Sequence, residues 1–438
     1  MTHFPITVPT ALATAFDLDP EADDWGQAAR HAVGTANGET YVLSGLWRHV
    51  PYRATGPERD RGFVCQLITR HAPDGTTLAT AVIADETPGG GAPSAIRRGG
   101  EGNLTLLPDG APVLSSKPGN TYLLTPELDR LQAAWQMDER PGWSDEPQTD
   151  DPFAATVAVT PGGRLLCLTS EHRLENWGYP RGNLIAVSEP GAVLAPGRKP
   201  ELRALATLKT ETKRQTENDA IAHVRFGDAP VLGDHRPAPS LADTLYARHG
   251  SSRFRRDGSF LHRPVPLADD LYVVPVFGGT YRSGSRGQAF SFALMDDRGT
   301  VRGELGGLDL HAHSPYNGAH YRVAADPHRG TAFHLNRYGL YAWTADGTLR
   351  ALIGTDRAPF KALATLELLT ATPTGDLLLF HPKHHLVLRV PVPADLAELP
   401  AAVAAVLAGL AKGRNALKKR HAPLAWLWLD TAGAVHHL

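Results

Sequence analysis

Residues 339–353 read Gly-Leu-Tyr-Ala-Trp-Thr-Ala-Asp-Gly-Thr-Leu-Arg-Ala-Leu-Ile, two apolar runs joined across Asp346-Gly347. An Asp-Gly between β-prone runs is a hairpin signal, because glycine takes the left-handed backbone that a tight reversal needs. Working outward, the same shape appears at 103–116 (Pro108-Asp109-Gly110), 155–170 (Pro161-Gly162-Gly163) and 220–234 (Gly227-Asp228). It returns at 319–336 (turn 326–330) and 366–380 (turn 373–375). A second series interleaves with the first: 63–83 (Pro73-Asp74-Gly75), 121–135 (turn 126–129), 183–195 (Pro190-Gly191), 244–262 (Asp257-Gly258), 289–305 (turn 297–299) and 424–438.

Two successive hairpins make one four-stranded unit, and the units recur roughly every 40–65 residues. Seven can be counted, at 26–84, 92–136, 153–196, 219–263, 264–308, 317–355 and 361–438, after an N-terminal extension over 1–25. A six-unit count requires one of them, the fourth first of all, to be irregular filler. In this respect the chain resembles the β-propeller superfold over residues 26–438. The resemblance is architectural. The tryptophan–aspartate dipeptide, the Kelch double glycine and the sialidase aspartate box do not recur, so no subfamily and no family active site are implied. The expected fold is all-β, a single propeller of seven four-stranded blades. A pair of β-sandwiches is the structural rival.

Composition agrees. The 438 residues include 43 Gly and 35 Pro, which suits many short strands and turns. Lys plus Arg number 44 against 46 Asp plus Glu, a formal charge of −2, so nothing electrostatic points to nucleic acid or an anionic membrane as partner. Cys65 and Cys167 each sit within an apolar run and read as small core residues. The first residues lack a basic region followed by an apolar stretch. The longest apolar segment, 396–411, is broken by Glu398, Pro400 and Gly409. The expected location is cytoplasmic.

One stretch breaks the β pattern. Over 393–421, Leu396, Leu399, Val403, Val406, Leu407 and Leu410 fall at helical spacing. We read this as an amphipathic helix inserted in the last blade, between the expected positions of its third and fourth strands. Its apolar face either packs on the propeller or docks a partner, with Lys412, Arg414, Lys418, Lys419 and Arg420 as a basic end.

In a propeller, connections from second to third strands and between blades share one face. Those connections hold Arg48, Tyr52, Arg53, Arg97, Arg173, Trp177, Tyr179, Tyr281 and Arg282. Guanidinium groups clamp carboxylates, and aromatic rings stack on sugars or cations. The alternative is an ordinary polar surface, some of its arginines pairing with Glu58, Asp60 or Glu175. The densest constellation is 309–320. There Asp309, His311 and His313 alternate on one side of an extended segment, with His320 as a further ligand for a divalent metal. The same segment offers His311, His313 and Tyr316 as an acid–base set. No phosphate-binding loop, nucleophile elbow or zinc-protease motif is present. The expected function is therefore non-catalytic: a scaffold for protein–protein interaction in a bacterial-type multi-protein system, without a cofactor. The alternative is a lyase or hydrolase acting on an anionic saccharide-like substrate.

Overall fold

The turns set the architecture. After Thr344, the Thr344 N–H donates to Thr348 O (3.1 Å), the Gly347 N–H donates to Thr344 O (2.9 Å), and Gly347 takes a φ of +82°. The same pair of bonds, each with a glycine at positive φ, closes the turns beginning at Thr35, Ala72, Leu107, Thr160, Asp296 and Thr372. A Cβ in that conformation crowds the following carbonyl, so glycine is the residue that permits it.

These turns connect strands in a computed structural model that describes residues 25–50, 61–84, 103–115, 121–135, 156–169, 184–192, 194, 202–207, 225–226, 229–230, 260–278, 289–307, 322–382, 386–418, 427–429 and 435–437. Blade 1 is an antiparallel meander of β1 (Trp25–Gly34), β2 (Thr40–Val50), β3 (Arg61–His71) and β4 (Thr77–Ala84). Blade 2 is β5 (Asn103–Leu106), β6 (Pro112–Ser115), β7 (Thr121–Leu124) and β8 (Leu131–Trp135). Blade 3 is β9 (Thr156–Val159), β10 (Leu165–Thr169), β11 (Leu184–Ser188) and β12 (Leu202–Thr207). Next, β13 (Arg225–Phe226) and β14 (Ala229–Pro230) form a two-residue ladder.

In blade 4, β15 (Phe260–Leu261) and β16 (Val265–Pro266) both pair with β17 (Leu271–Gly278), which pairs with β18 (Ala289–Asp296) and then β19 (Val301–Glu304). Blade 5 is β20 (Val323–Asp326), β21 (Thr331–Asn336), β22 (Gly339–Thr344) and β23 (Leu349–Gly354). Blade 6 has three paired strands, β24 (Glu367–Ala371), β25 (Asp376–His381) and β26 (Leu386–Pro391). Helix α1 (Leu399–Lys418) and a short hairpin, β27 (Leu427–Leu429) with β28 (Val435–His437), follow.

Neighbour relations make this a closed ring. The first strand of each blade touches that of the next, in the order β1, β5, β9, β16, β20, β24 and back to β1. Polar bonds cross the junctions. Tyr41 Oη donates to Pro126 O (2.8 Å) between blades 1 and 2, and Asn103 Nδ2 to Val157 O (2.6 Å) between 2 and 3. Trp343 Nε1 donates to Gly306 O (2.7 Å) between blades 5 and 4, and Arg329 Nη1 to Val392 O (2.9 Å) between 5 and 6. Arg389 joins the last blade to the first. It pairs with Asp376 at 3.6 Å, and its Nη2 donates to Thr40 Oγ1 (3.4 Å). The chain is a β-propeller.

The core lies between blades, with separate apolar clusters filling the 1–2, 2–3, 3–4, 4–5 and 5–6 junctions. This explains the strand composition. All six residues of β21 are buried, because a sheet covered on both faces has no solvent side. At the periphery β23 mixes exposed and buried positions, with Arg350 and Leu352 exposed. Cys167 is buried among these side chains, and burial pushes its thiol up to about 12. The Cys65 side chain lies outside the described residues.

Two expectations resolve here. The count is six blades among the described residues, and the seven-blade reading is corrected. Among the described residues the fourth unit keeps a two-residue ladder at 225–226 and 229–230, while Phe260 and Leu261, read as the end of that unit, join β17 as the inner strand of the next sheet. The cause is the turn after Pro266. It runs through Ala268-Asp269-Asp270, closed by a Leu267 N–H to Leu271 O bond (2.8 Å), and has no glycine to mark it. The helix packs on the propeller. Leu399, Val403, Val406, Leu407 and Leu410 are buried in one cluster with Ile353, Leu363 and Val390. That face is therefore already covered. The side chains of 411–418, and residues 419–420, lie outside the described residues.

Candidate functional site: the axial channel

The six first strands surround the axis, and a cavity of about 360 Å³ runs along it. Every blade contributes to its wall, including Val33, Leu106, Val159, Val265, Ala325 and Ala371. At one end the wall is made by the first turn of the blades, where Pro108, Pro161, Pro327 and Pro373 form a stiff apolar rim. The turn residues that mark the strands in the sequence are thus also the mouth of the channel.

Its floor is polar. The ladder of β1 slips between Ala29 and His31, leaving Arg30 without a partner on β2. Across the ring, residues 262–264 step out between β15 and β16, although the His262 N–H still donates to Pro275 O (2.9 Å). Pro264 and Pro275 explain that break, since neither has an N–H to give the ladder. Bulges re-aim side chains. The two meet on the axis, where Arg263 Nη2 lies 2.9 Å from His31 Nε2. In a ring of six, blades 1 and 4 are opposite, so this bond spans the channel.

A guanidinium only donates, which makes Nε2 the acceptor in this bond and His31 a neutral imidazole. The Leu104 N–H is directed at Nδ1 at 3.4 Å, a longer contact that competes for the ring's single acceptor nitrogen. Burial first, then the charges of Arg263 and Arg322, hold the His31 pKa well below the usual histidine value. Arg263 is itself pulled down to about 9, chiefly by burial and then by Arg322, and remains a cation at neutral pH. Arg322, next to β20, has one loose carboxylate partner, Glu367 at 4.0 Å, and its Nη1 is buried without a hydrogen bond. Both Arg263 and His31 keep partial exposure and line the cavity.

Of the residues singled out in the sequence as site candidates, Arg48 alone is among the described residues. Arg48 stands on β2, opposite Trp25 and Phe63. Tyr52, Arg53, Arg97, Arg173, Trp177, Tyr179, Tyr281, Arg282, Asp309, His311, His313, Tyr316 and His320 lie outside the described residues. What the strand ends fix is direction. The segments 51–60, 85–102, 170–183, 279–288 and 308–321 leave from and return to the end of the ring opposite the tight turns. Sequence reasoning missed His31 and Arg263. The available signal was the two prolines flanking a hairpin without glycine, Pro264 and Pro275, with a charged residue beside the first. No helix among the described residues is long and apolar enough to cross a membrane.

No protein-family model matches the sequence, and no curated protein matches it. Solved structures do. The WD40 β-propeller domain of Doa1 is 9% identical with a TM-score of 0.35, covering 83% of this chain and 92% of that one. U3-55K is 10% identical with a TM-score of 0.34, covering 83% and 93%. BamB from Moraxella catarrhalis is 11% identical with a TM-score of 0.30, covering 80% and 81%. Such values bear on fold alone, and the fold rests on the ring contacts described above.

Proposed function

We propose that this chain is a non-catalytic binding propeller, a scaffold in a bacterial-type multi-protein system, whose partner protein docks on the face opposite the tight turns. The observation that supports this reading is the shared end of the ring from which the long connections depart. Those connections contain Tyr52, Arg53, Arg97, Arg173, Trp177, Tyr179, Tyr281 and Arg282, and Arg and aromatic residues are the side chains that anchor protein interfaces. A further connection to the same end, 136–155, holds Asp138, Glu139, Asp145, Glu146, Asp150 and Asp151 against Arg140 alone. Connections that mix both signs of charge, with one strongly acidic stretch among them, complement a protein surface better than they complement a small anion.

The test is affinity capture from the native host with the wild-type chain and an Arg53→Glu, Arg97→Glu, Arg282→Glu variant. A specific partner retained near stoichiometry by the wild type, and lost from the variant, is the expected result. A partner retained equally by both, or a wild-type chain that stays solitary at low salt, refutes the reading.

A further inference from the structure

We infer that the axial channel is a binding site for a small organic carboxylate with an apolar body, its carboxylate seated on Arg263. This stands apart from the partner-docking face, which lies at the other end of the ring.

The only bond Arg263 makes among the described residues is to His31, a neutral acceptor that offers no negative charge. Among the described residues, the other charge acting on it is Arg322, also positive. Arg263 and Arg322 stand here against Glu367 alone among the described residues, an excess of positive charge. A cation enclosed by protein without a counter-charge is costly, and an anion arriving from the channel offsets that cost.

His31 occupies one side of the guanidinium, and the bulges that bring the two together hold Arg263 across the axis. A guanidinium has five N–H donors, and those not used by His31 have no protein acceptor among the described residues. Arg263 itself lines the cavity. Two donors in a fixed fork match the two oxygens of a carboxylate.

The cavity volume of about 360 Å³ falls at the small end of ligand pockets. Between floor and rim its wall is largely aliphatic, with Val33, Leu106, Val159 and Val265 among its residues. Such a wall gains nothing from a fully hydrated anion. It favours an alkyl or similarly apolar body extending from the carboxylate toward the proline rim.

Isothermal titration of the full chain with butanoate, hexanoate, hexanamide and inorganic phosphate tests this. Hexanoate is expected to bind saturably and about 15-fold more tightly than butanoate, at about fourfold per buried methylene. Hexanamide, which keeps the body and loses the charge, should bind 10- to 100-fold more weakly, the usual worth of a charged hydrogen bond. Arg263→Gln should bind hexanoate no better than hexanamide. Val159→Phe, which fills the channel and leaves the charge in place, should abolish hexanoate binding. Should Arg263→Gln fail to fold, the hexanoate–hexanamide pair on the wild type and Val159→Phe still decide. The inference is overturned if hexanoate shows no saturable binding at millimolar concentration. It is also overturned if hexanamide matches it, if Val159→Phe leaves binding unchanged, or if phosphate binds as tightly as hexanoate.

Discussion

Gly347 and Gly110 occupy the same place in the same kind of turn, and alanine at each should have very different consequences. Their φ angles are +82° and +85°, and each N–H donates to the carbonyl three residues back. An alanine at either site takes the left-handed cost of about 1–2 kcal/mol, partly offset by about 0.4–1 kcal/mol from a less flexible unfolded chain. At Gly110 the matter ends there, since a Cβ would meet nothing within 4 Å, and Gly110→Ala should cost about 1 kcal/mol. At Gly347 the Cβ would stand 2.5 Å from Glu304 O and 3.0 Å from Leu294 Cδ1, both in the neighbouring blade.

The Glu304 carbonyl belongs to backbone that cannot rotate aside, so blades 4 and 5 must separate locally. Overpacking of this kind costs about 1–3 kcal/mol. The Gly306 N–H to Gly347 O bond (3.0 Å) spans the same seam, and weakening it adds about 1 kcal/mol. Gly347→Ala should therefore lose about 2–4 kcal/mol more than Gly110→Ala. Equilibrium unfolding in urea, followed by tryptophan fluorescence and far-UV circular dichroism together, measures both variants against the wild type at a common slope. Equal destabilisation of the two, within about 0.5 kcal/mol, would refute the close approach of these blades, and with it the ring.

Other outcomes follow from the same structure. Trp343 is fully buried, stacks on Tyr341 at 5.6 Å and donates to Gly306 O, so Trp343→Phe should lose about 2–3 kcal/mol in urea unfolding. A loss below about 0.5 kcal/mol would show that the inter-blade bond carries no weight. His71 is buried, its Nε2 lies 2.7 Å from Thr69 Oγ1, and burial holds its pKa at about 3, below the unfolded value of 6.5. Between those values the unfolded chain binds the proton and the native one does not. Stability should thus fall as pH drops below 6.5, by up to about 1.4 kcal/mol per unit. His31 acts in the same direction. His71→Asn should flatten that slope in unfolding series at pH 7, 6 and 5, and an unchanged slope would remove His71 as its source. Asp376→Ala should destabilise by about 3 kcal/mol by leaving Arg389 enclosed without its carboxylate. Because the pair is mostly buried, the loss should persist in 1 M salt, and a loss that vanishes there would count against it.

The elements found from sequence are those whose cause is local. The left-handed glycines at 110, 163, 347 and 375 are needed by four consecutive residues, so their signal is complete within the turn. The helix is equally local, and each apolar residue from Leu396 to Leu410 that sets its period is buried. Membership of a sheet is not local. Gly227-Asp228 has the turn chemistry of the other hairpins, yet among the described residues two on each side pair. The inner strand of blade 4 was hidden for the converse reason: Ala268-Asp269-Asp270 makes a tight reversal without glycine, and two prolines interrupt the strand that leads into it.

That hidden strand also decides the site. His31 and Arg263 are 232 residues apart, and neither is unusual within its own segment. They meet because an even-numbered ring sets each blade opposite another, and in a ring of six the opposite of the first is the fourth. Counting a seventh unit between blades 3 and 4 moves Arg263 to a fifth blade and leaves no blade opposite the first, so a contact across the axis cannot be anticipated. The number of blades and the identity of the axial pair are thus one question. The strand that settles it, 260–266, is the one whose prolines erase the pattern by which strands are recognised and, in doing so, turn an arginine toward the axis.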